Sequence, residues 1–138
     1  MNTKIIKSIL GGIIGTVIMS IMMFIASMMG MPKMSPPNML ASMMGMPVII
    51  GWVMHFMIGI VFALAYTYLF APKIKISNIF LKGSIFGFVA FIFAQIMLAI
   101  IGAMLPMPEM EGSMMLMMIG SIMGHLIYGM SVSRTANY

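Results

Sequence analysis

The sequence has no cysteine, only two acidic residues, and charged residues at only 7% of its 138 positions. Without cysteine the chain has no disulfides, no thiolate metal ligands and no thiolate nucleophile. Both acids, Glu109 and Glu111, lie in one short proline-containing segment, so no hydrophobic run holds a carboxylate for acid–base catalysis or proton relay. The chain also lacks a phosphate-binding motif and a basic cluster with interleaved aromatics. These absences predict a protein that is not an enzyme and binds no nucleic acid.

Long hydrophobic runs dominate what is present. Soluble domains have about a quarter of their residues charged, whereas this chain is 62% hydrophobic. At about 1.5 Å per residue, a helix needs roughly 20 apolar residues to cross a hydrocarbon core of about 30 Å. Four charge-free runs reach that length: Ser8–Met31, Val48–Phe70, Gly83–Leu105 and Ser113–Val132. The predicted fold class is therefore all-α, a bundle of four transmembrane helices forming one domain over residues 1–138.

The basic residues indicate how the spans are oriented. All of them except Lys33 fall on one side of a four-span layout, and Lys33 shares the other side with both acids. By the positive-inside rule, both termini and the middle loop are expected in the cytoplasm. The net charge of +5 also favours contact with anionic headgroups of the lipid bilayer.

The two halves of the chain resemble each other. A G-x-x-x-G pair opens the first and third spans, and a small-x3-His-x3-Gly pattern recurs in the second and fourth. This agreement predicts two similar helical hairpins, residues 5–70 and 79–133, related by an axis along the membrane normal. Small residues four apart let helices approach closely in lipid, and they could also join copies of the chain. The glycines expected to pack helices are Gly11, Gly15, Gly51, Gly59, Gly83, Gly87 and Gly129.

Two histidines lie within these hydrophobic runs. Helical rise places His55 about 10–12 Å below the outer boundary and His125 about 18 Å below it. A buried neutral imidazole has one donor and one acceptor to satisfy. Gln95 and Ser20 are estimated at the depth of His55, so we predict a polar core in which Gln95 is the first partner of His55 and Ser20 the second.

The sequence leaves three roles open for these histidines. They could be hydrogen-bonded packing residues, or axial ligands of haem b, for which bis-His ligation is chemically suitable. They could also complete a copper site, because thioethers suit Cu(I) and many of the 24 methionines cluster in the two outer segments. The residues of that soft-metal site would be Met44, Met46, Met107, Met110, His55 and His125.

The first outer segment, Pro32–Pro47, predicts a further short helix. Prolines at positions 36 and 37 precede an apolar stretch that ends near Gly45, which is the usual order of helix start and stop signals. We expect a helix over Asn38–Met44 that lies in the outer interface or dips back into the bundle.

Taken together, four stretches carry a family resemblance. Gly11-Gly12-x-x-Gly15-Thr16, the Met- and Pro-rich loop, "GWVMHFMIG" and "GHLIYG" are similar to an uncharacterised family of small four-span bacterial and archaeal membrane proteins, a domain of unknown function. The resemblance implies a multi-pass protein of the cytoplasmic membrane and no particular chemistry. We expect a non-catalytic accessory or assembly subunit or a small-ligand binder without a cofactor, working as a homo-oligomer or within a larger membrane complex.

Overall fold

Four long helices make up most of the protein. A computed structural model describes residues 3–109 and 112–136, and within them the chain is helical apart from connecting segments. The helices are α1 (Thr3–Met28), α2 (Pro36–Met43), α3 (Val48–Ala65, continued by a π-helical turn over Tyr66–Phe70), α4 (Ile79–Gly102) and α5 (Met114–Thr135). All of these except α2 are long and apolar enough to cross a membrane. The all-α fold with four candidate spans is therefore confirmed, as expected of a multi-pass membrane protein.

The surface of the long helices is itself apolar. Phe24, Val61 and Met57 are each at least 60% exposed, and many other large aliphatic side chains are similarly uncovered. A water-soluble protein rarely exposes contiguous apolar surface on this scale. These faces therefore fit a hydrocarbon environment.

Two of the helix ends differ from the hydrophobic runs for local reasons. Helix α1 begins at Thr3 and so includes Lys4 and Lys7. A search for charge-free runs leaves these lysines out, but the helix continues through them. Helix α4 begins at Ile79, where the side chain of Asn78 accepts a hydrogen bond of 3.0 Å from the Leu81 backbone N–H. This is the interaction expected of an N-cap asparagine.

The short helix α2 packs against α3. It begins at Pro36, two residues before the predicted start, because proline is well suited to the first helical position, where its missing N–H costs nothing. Pro37, Ala41 and Met43 are buried. A Cβ atom at Gly51 of α3 would clash with the Pro37 carbonyl oxygen, so this glycine is what lets α2 approach α3 so closely.

Each hairpin contains one close crossing of helix backbones. In the first, Gly12 of α1 lies against Gly59 and Ile60 of α3, and a Cβ at position 12 would be 2.6 Å from the Ile60 Cα. In the second, α4 meets α5 where Gly83 and Gly87 lie against Gly129. That the two similar hairpins arose by duplication of one hairpin stays a prediction.

The contacts between the two hairpins include two different kinds of packing. Helix α5 packs closely on α1, where a Cβ at Gly15 would be 2.9 Å from the Tyr128 ring. Helices α3 and α4 meet instead through aromatic rings. The Phe62–Phe93 centroids are 5.6 Å apart, and the Tyr66–Phe86 centroids are 5.1 Å apart. The backbone of α1 thus packs directly on an aromatic ring of α5, whereas α3 and α4 contact each other through long side chains.

The glycines that the sequence singles out are all buried. Most lie against another backbone or a bulky side chain, while Gly11 makes only ordinary contacts, 3.6 Å from the Cβ atoms of Thr135 and Ala136. The G-x-x-x-G faces of α1 and α4 are consequently covered by helices of the same chain. Contacts between copies of the protein would need other surfaces.

The two ends of the helix assembly differ in charge. One end, here called the basic end, holds the start of α1, the segment 71–78, the start of α4 and the end of α5, and it carries every basic residue except Lys33. The opposite end, called the methionine end, holds the end of α1, helix α2 and the segments 103–109 and 112–113. Lys33 and Glu109 lie there, while Glu111 lies outside the described residues.

Candidate functional site

The first of the two histidines hydrogen-bonds to α1. His55 is 9% exposed, and its Nε2 atom is 3.4 Å from the hydroxyl oxygen of Ser20. That hydroxyl donates its only proton to the Thr16 carbonyl at 2.8 Å, because a carbonyl oxygen can only accept. Ser20 must therefore accept from His55, which places the proton of the neutral ring on Nε2 and leaves Nδ1 as the acceptor nitrogen.

The predicted bond between His55 and Gln95 is wrong, and the second choice, Ser20, is the partner found. Gln95 of α4 donates to the hydroxyl oxygen of Ser121 on α5 at 3.5 Å. The reason is the order of helices around the assembly. Helix α3 packs on α1 over its length, whereas α4 packs on α5 and touches α3 only through aromatic side chains.

The second histidine hydrogen-bonds to its own helix. The Nδ1 atom of His125 is 2.8 Å from the carbonyl oxygen of Ser121, so Nδ1 carries the proton and Nε2 is the acceptor nitrogen. The ring meets Phe91 of α4 edge-on, with centroids 5.8 Å apart. In their neutral forms the two histidines would thus be opposite tautomers, each with one ring nitrogen that has no hydrogen bond among the described residues.

Both histidines lie at the same height in the assembly. Ser20 of α1 contacts His55, while its neighbours Met19 and Met23 contact Gly124, the residue before His125. The offset of about 6 Å expected from the ends of the hydrophobic runs is therefore absent. Helix α5 begins about one turn further from its histidine than α3 does, which accounts for the difference.

A cavity of about 170 Å³ opens between α1, α5 and the segment that follows α1. We call it the methionine cavity. Its lining side chains are all apolar: Met22, Met23, Ala26, Met31, Pro32, Met34, Ile119, Gly120, Met123, Gly124 and Ile127.

Two glycines of α5 create the room for the methionine cavity. A Cβ atom at Gly120 would lie 3.4 Å from the sulfur of Met34, and one at Gly124 would lie 3.5 Å from the sulfur of Met23. Larger residues at either position would reach into the space these thioethers occupy. The cavity is thus formed by small residues on one helix facing flexible side chains from α1 and the following segment.

The methionines that the sequence proposes as metal ligands lie elsewhere. Met44 and Met46 are each 46% exposed, and Met107 is 37% exposed. The Met107 sulfur packs over Gly102, 2.9 Å from where a Cβ would be. Met110 lies outside the described residues. Among the residues that the structure describes, no three His, Cys, Asp or Glu side chains cluster as a metal site would require.

Sequence reasoning misses several polar contacts between helices. The hydroxyl of Tyr128 on α5 donates to the carbonyl oxygen of Gly59 on α3. Near the basic end, the hydroxyl of Ser8 lies 2.8 Å from that of Thr67. Tyr128 lies next to Gly129 within a hydrophobic run, where its hydroxyl must find a hydrogen-bond partner inside the protein. The sequence alone could therefore have indicated that Tyr128 binds another helix.

A family model described as "Family of unknown function (DUF6789)" matches residues 2–138. The chain belongs to this family, which confirms the resemblance to an uncharacterised domain family. No curated protein and no solved structure matches the chain.

Proposed function

We propose that this protein is a non-catalytic integral membrane protein that binds a small apolar ligand in the methionine cavity. The observation that carries the proposal is the cavity itself, about 170 Å³ of space whose lining side chains are all apolar. The space is a partly open cleft between helices, so an apolar group in the bilayer can enter it.

The size and lining of the cavity define the ligand. An engineered cavity of about 150 Å³ with aliphatic and aromatic walls stays dry and binds benzene or xenon. The methionine cavity is comparable in volume and offers water no side-chain hydrogen-bond partner. Its ligand is therefore an apolar group of about the size of one aromatic ring or a short branched alkyl chain. The flexible thioethers of Met23, Met31 and Met34 can adapt to its shape.

The direction of the hydrogen bonds supports a role without catalysis. In a serine–histidine pair that performs nucleophilic attack, the hydroxyl donates its proton to the imidazole. Here Ser20 donates to the Thr16 carbonyl and accepts from His55. Ser20 is therefore not oriented as a nucleophile that His55 could activate. The Nδ1 proton of His125 is bound to a carbonyl oxygen of its own helix, and among the described residues no serine donates to its Nε2.

Cu(I) is the second candidate ligand, because five methionines line the same cavity. Thioethers are soft ligands that bind Cu(I) without losing a proton. This alternative moves the soft-metal site from Met44, Met46 and Met107 to the methionines that line the cavity: Met22, Met23, Met31, Met34 and Met123. Haem b has less support, since the ring of His125 packs edge-on against Phe91 and that of His55 against Trp52.

The proposed setting is a bacterial or archaeal cytoplasmic membrane with the basic end facing the cytoplasm. The cavity then opens near the outer face, where an apolar molecule in the bilayer can reach it. An accessory role in a larger complex or a homo-oligomer is compatible with ligand binding. It would use the lipid-facing surfaces, because the glycine faces are already covered within the chain.

Methyl NMR of protein labelled with [methyl-¹³C]methionine tests the proposal. Toluene is the apolar probe, and we expect it to shift the methyl signals of Met23, Met31 and Met34 at low concentration. Lipid-facing Met57 and Met97 serve as internal controls, since they report on toluene dissolved in the detergent. Equal shifts of cavity and lipid-facing methyls would mean that toluene has no site in the protein.

Two glycine variants and a metal titration complete the experiment. Gly120→Leu fills the cavity and should abolish the selective shifts, whereas Gly102→Leu makes the same change on α4, outside the cavity lining, and should retain them. Silver(I), a redox-stable substitute for Cu(I), is titrated separately. Stoichiometric saturation of the cavity methyls by silver without a response to toluene would favour the metal alternative.

A further inference from the structure

A second, shallower cavity lies at the basic end and differs from the methionine cavity in having a charge at its edge. It has a volume of about 370 Å³ and is formed by α1, α4 and α5. We call it the Arg134 groove. The residues that matter here are Ile14 and Ile18 of α1, Phe80 of α4, and Ile127, Met130 and Arg134 of α5.

The apolar part of the groove runs along the helices. Ile127, Met130 and Arg134 are spaced by three and four residues and therefore share one face of α5. From Ile127 to Arg134 the groove extends about 10 Å along the helix axis. Ile14 and Ile18 of α1 form one wall, and both are more than a third exposed. This shape and direction suit an acyl chain that lies parallel to the helices.

Arg134 places a positive charge at the end of this apolar track. Its side chain is exposed, one residue before the end of α5. Of the two acidic residues of the chain, Glu109 is the one that the structure describes, and it precedes α5, so about 30 Å of helix separates it from Arg134. The guanidinium stays charged and can bind a phosphate through two parallel N–H donors.

Arg134 is also the group that must recognise a headgroup in this groove. Ser131 donates its hydroxyl proton to the Ile127 carbonyl at 2.8 Å, and Thr135 donates its own to the Ser131 carbonyl at 2.9 Å. Neither hydroxyl has a proton left for a phosphate. Recognition in the groove therefore depends on the charge of one guanidinium, which favours an anionic lipid over a zwitterionic one.

We propose that the Arg134 groove is a binding site for an anionic phospholipid, with the phosphate on Arg134 and one acyl chain along Ile127, Ile14 and Ile18. Basic pockets between transmembrane helices at the cytoplasmic side bind anionic lipid headgroups in this manner. The site is separate from the methionine cavity and does not depend on what that cavity binds.

Native mass spectrometry of the delipidated protein tests the proposal. The protein in detergent is offered phosphatidylglycerol and phosphatidylcholine in equal amounts, and the bound fraction of each is measured. We expect wild type to prefer phosphatidylglycerol, and Arg134→Gln to lower its binding about fivefold, the effect expected for one basic residue near a membrane surface. Lys75→Gln removes the same charge from the exposed segment at the same end and should leave binding unchanged.

A charge-neutral variant separates the groove from general attraction. Ile14→Trp fills the groove while all charges remain, and it should lower phosphatidylglycerol binding as much as Arg134→Gln does. The proposal is overturned if wild type shows no preference, if Lys75→Gln and Arg134→Gln have equal effects, or if Ile14→Trp binds the lipid like wild type. Ile14→Trp also gives a result if Arg134→Gln does not fold.

Discussion

Replacing Gly87 by alanine tests how the second hairpin is held together. A Cβ at this position would lie 2.9 Å from both the His125 carbonyl carbon and the Leu126 Cα, and would clash with the His125 carbonyl oxygen. These are backbone atoms of α5, which cannot turn aside as a side-chain end can. Helices α4 and α5 would have to separate along their closest contact.

The expected cost of Gly87→Ala follows from two opposing effects. Alanine has a higher helix propensity than glycine by about 1 kcal/mol. Overpacking a tight contact costs about 1–3 kcal/mol, and a backbone neighbour puts this case at the upper end. We therefore expect Gly87→Ala to lower the free energy of unfolding by about 2 kcal/mol.

Gly11→Ala is the matched control on α1. There the new Cβ would be 3.6 Å from the Cβ atoms of Thr135 and Ala136, which is ordinary contact. Only the propensity gain of up to about 1 kcal/mol remains, so this variant should be as stable as wild type or slightly more stable.

The assay is unfolding in mixed micelles of increasing SDS fraction, followed by the fluorescence of Trp52, the only tryptophan. Gly124→Ala gives an intermediate case, because its Cβ would meet the mobile methyl end of Met19 at 3.2 Å. The expected order of stability is Gly11→Ala, then Gly124→Ala, then Gly87→Ala. The packing argument is refuted if Gly87→Ala proves as stable as Gly11→Ala.

Three further predictions concern the polar contacts and the orientation. A double-mutant cycle of Ser20→Ala and His55→Phe should show a coupling energy of about 0.5–1 kcal/mol. The effects of Gln95→Ala and His55→Phe on the free energy of unfolding should instead be additive. Coupling only in the second pair would contradict the hydrogen bonds described here. Tyr128→Phe should cost about 1 kcal/mol in the same unfolding assay by removing the bond to Gly59, and an unchanged free energy of unfolding would exclude that contribution. In cells, a cysteine at exposed Ser113 should react with an impermeant thiol reagent and one at exposed Ser77 should not, while the reverse pattern would invert the orientation.

The sequence predicts the four long helices well because each contains a charge-free run at least as long as the membrane requires. Composition alone determines that result, and the local signals at Asn78 and Pro36 are close to where α4 and α2 begin. The small residues are also informative, since a glycine within a span has few uses other than letting another group approach.

Composition and local signals do not predict which helices are neighbours. Gln95 is a chemically suitable partner for His55, yet it lies on α4, whose close neighbour is α5. The choice between Ser20 and Gln95 depends on the order of helices around the assembly, and one sequence does not contain that order. The same holds for the height of His125, which depends on how far α5 extends above it.

The methionines show a second limit. Met31, Met34, Met44 and Met46 belong to one methionine-rich stretch with similar local spacing. The structure turns the first two toward the methionine cavity and leaves the last two nearly half exposed. The free-energy difference between a cavity wall and the lipid-facing surface is small for a thioether. Its chemistry therefore does not determine which of the two a methionine side chain occupies.

The most direct test of ligand binding in the methionine cavity is a crystal grown in a lipid phase and pressurised with xenon. Xenon enters dry apolar cavities and is located by its anomalous scattering. The account predicts one strong site beside Gly120 and Gly124, between Met23 and Met34, which is absent in the Gly120→Leu protein. A methionine cavity that holds ordered water instead, with xenon found only along the lipid-facing surface, would contradict the proposal that an apolar ligand binds there.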